Sequence, residues 1–298
     1  MNSERTVGIP LVGTLPKRSN PFHMPPDLAE RIEHAYTTGT ADEALIAALI
    51  AALESGQARA AEPDPSSPTG WRVNAWVKQG ILLGFRLGKL TPVRWGGEEF
   101  LDRHLYPPRA FTLADGVRLV PGGTSIRRGA CIRPGVVVMP PTYVNVGAYV
   151  GENTMLDSHV LVGSCAQIGA RVHLSAGCQI GGVLEPVGAS PVIVEDDAFV
   201  GGCTGLFEGV VVKRGAVIGA GVMLTRATPL YDLVNERVLR AEGDLPLIVP
   251  ENAVVVAGSR PSSAPFAQQY GIHLYAPVIV KYRDARTDAA TALEETLR

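Results

Sequence analysis

Side chains able to do chemistry are sparse between residues 126 and 224, and their spacing excludes more than it offers. Two histidines fall there, His159 and His173, with no third and no HxxxxH spacing, so no metal site is expected. Glu195, Asp196 and Asp197 are consecutive and read as a solvated turn rather than as paired catalytic acids. The four cysteines, Cys131, Cys165, Cys178 and Cys203, form no CxxC pair and read as buried thiols in a reducing compartment. Asp157 differs from these. It directly follows the aliphatic Leu156, at a point where the apolar pattern demands a turn, so its carboxylate can face a neighbouring molecule.

That pattern has a period of six. Every sixth residue from Ile126 to Ile180 is aliphatic, ten in a row, and six more follow from Val194 to Leu224. The runs are offset by 14 residues, which reads as two hexads plus two. Two places before each aliphatic residue stands a small or β-branched one, from Thr124 and Ala130 to Ala216 and Val222. Glycine often follows it, as at Gly163, Gly169 and Gly201. A period of six fits neither an α-helix nor a lone strand. It predicts a parallel β-helix, with one short strand and one turn per hexad and three hexads per coil. Sixteen hexads give about five coils and a prism roughly 25 Å long. The break at 181–192 must project outward, because nothing inside an aliphatic prism can absorb it, and projecting loops carry function.

Composition agrees. Aromatic residues are 6% of the 298, and glycine plus proline total 56, as tight turns and a narrow interior require. A net charge of −2 carries no nucleic-acid footprint. No apolar run reaches membrane-spanning length and the N-terminus lacks a signal-peptide pattern, so a cytoplasmic protein is expected. The chain divides into an N-terminal helical domain with a connecting segment (1–116), the β-helix (117–227) and a C-terminal segment of loop, strands and short helix (228–298). Within the first part, residues 1–25 read as an irregular arm. Asp27 caps a helix with Leu28, Ile32 and Ala35 on one face. Thr40 or Asp42 caps a second helix, Glu43 to Leu53, closed by Gly56. Residues 57–70 read as a linker and 71–90 as a third helix; 228–247 reads as a hairpin or loop leaving the prism, and 287–297 as a closing helix. An all-aliphatic prism holds no internal site, so function lies on its surface and between copies, and a closed C3 ring would cover its flat faces.

Several strings are more specific than the repeat: Asn145-Val146-Gly147-Ala148-Tyr149, Met155-Leu156-Asp157-Ser158, Gly163-Ser164-Cys165-Ala166-Gln167-Ile168-Gly169 and Gly181-Gly182-Val183-Leu184-Glu185-Pro186. Outside it stand Arg72-Val73-Asn74-Ala75-Trp76-Val77-Lys78 and Leu274-Tyr275-Ala276-Pro277-Val278. Together they resemble the tetrahydrodipicolinate N-succinyltransferases, a hexapeptide-repeat acyltransferase family, over about residues 70–298. The resemblance implies left-handed winding, a homotrimer with sites between subunits, and transfer of succinyl from succinyl-CoA to an amino group in lysine and diaminopimelate biosynthesis. Succinyl-CoA is then a co-substrate, with no further cofactor, metal, nucleic acid or membrane partner. Two alternatives stay open: a related enzyme using acetyl-CoA or another amine, and a catalytically silent trimeric binding module.

The resemblance also assigns roles. Asp157 is the expected carboxylate that orients or deprotonates the attacking amine. Arg118, in Arg118-Leu119-Val120-Pro121, is expected on an acceptor carboxylate, with Arg127 as a second candidate. Gly219, Ala220 and Gly221 would lie along the pantetheine arm, and Arg226, Arg260 and Lys281 are candidates for the CoA phosphates. Glycine-rich turns at 181–182 or 201–202 could hold the thioester oxyanion. One departure stands out. The family's string Ala-Arg-Ser-Glu-x-x-Glu-Gly is here Gly202-Cys203-Thr204-Gly205-Leu206-Phe207-Glu208-Gly209, so a glutamate is replaced by Gly205. Either Glu208 or Glu185 takes its place, or Asp157 suffices, or a substrate has changed.

Overall fold

Each hexad becomes a two-residue strand and a turn, and every third strand stacks in register on the same face. The computed structural model describes residues 23–95 and 97–284. The first face begins at Arg118–Leu119 and rises through Val137–Val138, Met155–Leu156, His173–Leu174, Phe199–Val200 and Val217–Ile218 to Ala253–Val256. The second runs from Ser125–Ile126 to Met223–Leu224, and the third from Cys131–Ile132 to Ile248–Val249. All these pairs are parallel, with partners 18 residues apart wherever no insertion intervenes, such as Leu156 and Leu174. The second residue of each strand from Ile126 on points inward and is buried, and so is the small residue two places before it. Burying one such side chain contributes about 1.5–3 kcal/mol. Threonine is tolerated inside because its hydroxyl finds a backbone carbonyl: Thr154 donates to Gly169 at 2.8 Å and Thr204 to Gly219 at 3.0 Å.

The prism is longer than the hexad count suggests. Strands Ile248–Val249 and Ala253–Val256 extend the third and first faces beyond residue 227. Seven rungs span roughly 29 Å. The break at 181–192 is also simpler than two hexads plus two. Ile193–Val194 occupies the face directly after that of Gln179–Ile180, so the segment is one hexad carrying eight extra residues. Residues 228–247 contain an antiparallel hairpin, Leu230–Asp232 with Arg237–Leu239. It does not leave the prism altogether. Val278–Tyr282 lies antiparallel on Ala253–Val256, the hairpin adds to it, and the first face becomes a ten-stranded sheet. At the lower end Phe111 and Val117 pack against the core.

Glycines immediately after the inward residue serve stacking, not left-handed backbone. A Cβ on Gly163 would lie 2.1 Å from the backbone nitrogen of Gly182 in the next coil. The left-handed place in each turn comes two residues later, and non-glycine side chains fill it at Asn153, His159, Cys165, Arg171, Asp197 and Cys203.

The N-terminal helices are α1 (Leu28–Thr38), α2 (Glu43–Ser55) and α3 (Ala75–Leu87). Leu28, Ile32 and Ala35 are buried on one face of α1 as expected. Asp42, rather than Thr40, caps α2 by accepting from the N–H of Leu45 at 2.7 Å, and Gly56 closes it in a left-handed conformation. Residues 57–70, read as a linker or loop, are mostly loop but hold one strand: Ala61–Pro63 pairs antiparallel with Trp71–Val73 and covers the third face. The third helix therefore starts at Ala75, after that strand. Leu90–Trp95 and Glu98–Arg103 form a further hairpin in the connecting segment. The proposed arm and closing helix lie outside the described residues, apart from residues 23–25. Among the described residues no helix is long and apolar enough to cross a membrane.

Candidate active site

Three corners separate the three faces, and they sort the candidate residues. The corner between faces one and two carries Asp157, Ser175, Gly201 and Gly219 directly above one another. The N–H of Asp157 donates to Leu174, of Ser175 to Val200, of Gly201 to Ile218 and of Gly219 to Val255, at 2.7–3.0 Å. Asp157 and Gly219 are three rungs apart, roughly 14 Å at strand spacing. The Asp157 side chain is half-buried and accepts only the N–H of Ser158, at 2.7 Å, among the described residues. One carboxylate oxygen thus remains available. Arg118 is exposed on face one, two rungs below Asp157. Ala220 and Gly221 are exposed, and Gly221 has open space where a Cβ would stand. Above them the chain leaves this corner through Gly258 into a hairpin, Ser259–Pro261 with His273–Tyr275, which holds Arg260. The buried Nε of Arg260 has no hydrogen-bond partner among the described residues. Lys281 sits at the top of face one, paired with Asp284 at 3.0 Å.

The corner between faces two and three carries the other candidates. Glu185, Glu208 and Arg226 line one groove of about 1050 Å³, beneath the 181–192 loop and beside Asp244. The backbone N–H of Arg226 donates to Glu208 at 3.1 Å, and its guanidinium reaches the carbonyl of Gly243. Arg127 occupies the lowest rung of this corner and is engaged inside the protein. Its guanidinium bonds Asp102 and lies 5.7 Å from the Phe85 ring centre. The structure therefore brings Glu185, Glu208 and Arg226 together, and groups Asp157 with Gly219–Gly221, but within one chain it places these sets on opposite corners of face two.

Three features escaped sequence reasoning. Phe207 folds across face two into the space over Gly205 and Gly181. A Cβ on Gly205 would lie 2.4 Å from its ring and 2.5 Å from the Met223 sulfur. Gly205 thus leaves the space that the Phe207 ring occupies. Lys78 on α3 is fully buried and donates to the carbonyl of Ala189, in the groove wall, at 2.6 Å. Burial holds its ammonium below the usual lysine range, and the neighbouring Cys165 only partly offsets this. The signal was present: Lys78 lies three and four residues before Ile81 and Leu82, on the helix's buried side. Last, the acid triplet is paired rather than solvated, with Lys213 on Glu195, Arg171 on Asp196, and both Arg171 and Arg214 on Asp197. Cys203, expected to be buried, is exposed at its turn, whereas the other three cysteines are buried.

Comparison with known proteins agrees with this architecture. A family model described as tetrahydrodipicolinate N-succinyltransferase N-terminal matches residues 27–87, and one described as the hexapeptide repeat of succinyl-transferase matches residues 191–226. Three curated relatives are named 2,3,4,5-tetrahydropyridine-2,6-dicarboxylate N-succinyltransferase. The one from Afipia carboxidovorans is 41% identical over 83% of this chain and 86% of its own length. That from Polynucleobacter asymbioticus is 44% identical over 84% and 88%. That from a Methylobacterium species is 43% identical over 91% and 98%. With identity of this depth over most of both chains, the chain belongs to the tetrahydrodipicolinate N-succinyltransferase family.

Proposed function

We propose that the chain transfers the succinyl group of succinyl-CoA to the amino group of tetrahydrodipicolinate, on the route to diaminopimelate and lysine. The observation that carries this reading is identity of 41–44% to enzymes of that name over at least 83% of the chain. Water adds across the ring C=N of the acceptor and so supplies the amine N–H; the amine attacks the thioester carbonyl, a C–N bond forms, the C–S bond breaks, and the amine's proton passes through base to the leaving thiolate. Asp157 is the base or orienting carboxylate. Its free oxygen and its position on the glycine-lined corner support that role. Gly202, on the same corner, has a backbone N–H that donates to no described residue, and this supports it as a donor to the developing oxyanion. Arg118 supplies a fork for an acceptor carboxylate.

The two sets of candidates flank one face, so a complete site joins corner one–two of one protomer to corner two–three of another. This arrangement supports a homotrimer; the proposal further takes the enzyme as cytoplasmic, with succinyl-CoA as co-substrate and no further cofactor. In that assembly Glu208, Glu185 and Arg226 would face the neighbour's Asp157 corner. Phe207 lying over Gly205 favours a mechanism in which Asp157 acts without a second carboxylate at that place. CoA release from succinyl-CoA plus tetrahydrodipicolinate, read with a thiol reagent, tests the proposal. Turnover with acetyl-CoA alone would assign the chain to a related acyltransferase, and no turnover with either donor would make it a silent module.

A further inference from the structure

The third corner, between faces three and one, carries none of the acyl-transfer candidates, yet it holds a pocket of about 440 Å³. Its walls are the Ala61–Pro63 and Trp71–Val73 hairpin on one side and the turns at Gly151, Gly169 and Asp196 on the other. Arg59 lies at its centre. Its Nε donates to Gln167 Oε1 at 2.9 Å, and its guanidinium carbon stands 3.8 Å from the Tyr149 ring centre and 5.4 Å from that of Trp71. The side chain is thereby fixed in orientation. Its two terminal nitrogens donate to no described residue, and no described carboxylate pairs with it. Burial holds its pKa below the usual arginine value, against weaker opposing influences from Tyr149 and more distant acids.

Every other charge in the pocket is already matched. Glu152 pairs with Arg133, Glu195 with Lys213, Asp196 with Arg171, and Arg214 with Asp197. Among the described residues, Arg59 is the one charge of the pocket without an ion-pair partner, in a partly desolvated place, which is costly without an anion. A fork of two free N–H groups in a fixed plane suits a carboxylate. The three paired acids on the rim place acceptor oxygens beside the fork. Their remaining lone pairs suit an ammonium group. The pocket volume lies within the range of sites for small molecules, about 300–1000 Å³.

We propose that this pocket binds a small amino acid, its carboxylate on the Arg59 guanidinium and its ammonium against the rim of Glu152, Glu195 and Asp196. The site is independent of the acyl-transfer reading, since its residues lie on another corner. Trp71 in the wall provides a direct readout in the unmodified protein. The common amino acids are tested singly by calorimetry and tryptophan emission, with acetate, ethylamine and inorganic phosphate as comparison probes. At least one amino acid is expected to bind with Kd below about 1 mM, more tightly than any comparison probe. Binding should weaken at least about tenfold in Arg59→Gln, roughly 1.4 kcal/mol, and remain in Asp157→Asn. Should Arg59→Gln not fold, Glu152→Gln at the exposed rim serves instead, with weakened binding expected. The proposal is overturned if no amino acid binds below about 10 mM, or if phosphate or acetate binds as tightly as the best amino acid. Unchanged affinity in the tested pocket variant, or loss of binding in Asp157→Asn, would also overturn it.

Discussion

Replacing Lys78 with methionine separates the stability of the protein from the order of its groove. The ammonium is fully buried and, among the described residues, makes one hydrogen bond, 2.6 Å to the Ala189 carbonyl in the 181–192 loop. A hydrogen bond from a charged donor contributes about 1.5–3 kcal/mol, so the loop loses that much restraint in the variant. The ammonium's desolvation, several kcal/mol in a protein interior, is relieved at the same time. Methionine keeps the length and apolar stem of lysine, so the helix packing around Val77 and Ile81 survives. The two effects act on different observables. Amide exchange in 181–192 should accelerate about 10- to 150-fold, which is that energy converted at about 1.4 kcal/mol per decade. The melting temperature should stay within about 4 °C of the parent, or rise. KM for the acceptor should increase, because Glu185 and Ala189 line the groove. Unchanged exchange in the loop would refute the assignment of Lys78 as its tether. A fall of more than about 10 °C would show that the ammonium holds the domain together instead.

Other outcomes follow from the same contacts. Asp157→Asn keeps an oxygen for the Ser158 N–H, so it should fold normally while kcat falls about 10²- to 10⁴-fold; near-normal kcat removes Asp157 from the chemistry. Gly163→Ala forces a Cβ against backbone 2.1 Å away and should destabilise by about 3 kcal/mol or more in chemical denaturation. Gly205→Ala meets only the Phe207 and Met223 side chains, which can turn aside, so its cost should be clearly smaller. For Asp232, burial alone would raise the pKa, but donors from Asn235, Tyr282 and Arg237 outweigh it and hold the value at about 2. The folded pKa is depressed, so its stabilisation is complete above the unfolded value near 3.8 and disappears as pH falls through about 2. Asp232→Asn should flatten that part of an acid-denaturation profile, and an unaltered profile would contradict this.

The prism was legible because its physics is repetitive. One aliphatic residue every six places, with a small residue two before it, leaves a single solution for three converging faces. The helices were legible from Asp42, Gly56 and the buried stripe of α1. What escaped notice is the long-range part. Nothing local marks Ala61–Pro63 as a strand until Trp71–Val73 stands beside it, and Pro63 and Pro65 argue for a loop. The last rungs were hidden because the insertion of 225–247 breaks the count between Leu224 and Val249. Asp157 could be placed on a turn, but which corner it shares with Gly219 follows only from the order of the faces. Gly205 looked like a missing carboxylate when read alone. In the structure it is the seat of Phe207, whose ring turns back over the strand two residues before it, beside Met223 of the next coil, and spacing alone does not give the direction of that ring.

A parallel stack of coils has no natural length. Its last rung presents unused N–H and C=O groups to whatever strand arrives next, including the first rung of another molecule. On face one the chain answers this by reversing direction: Val278–Tyr282 runs antiparallel on Ala253–Val256, with a register shift between Val254 and Val255. A strand that runs the wrong way cannot template a further 18-residue coil. The hairpin at 230–239 then adds two more strands to the same sheet, so its open edge is Arg237–Leu239. The C-terminal segment thus closes the upper edge of face one with a strand on which no further parallel coil can be built.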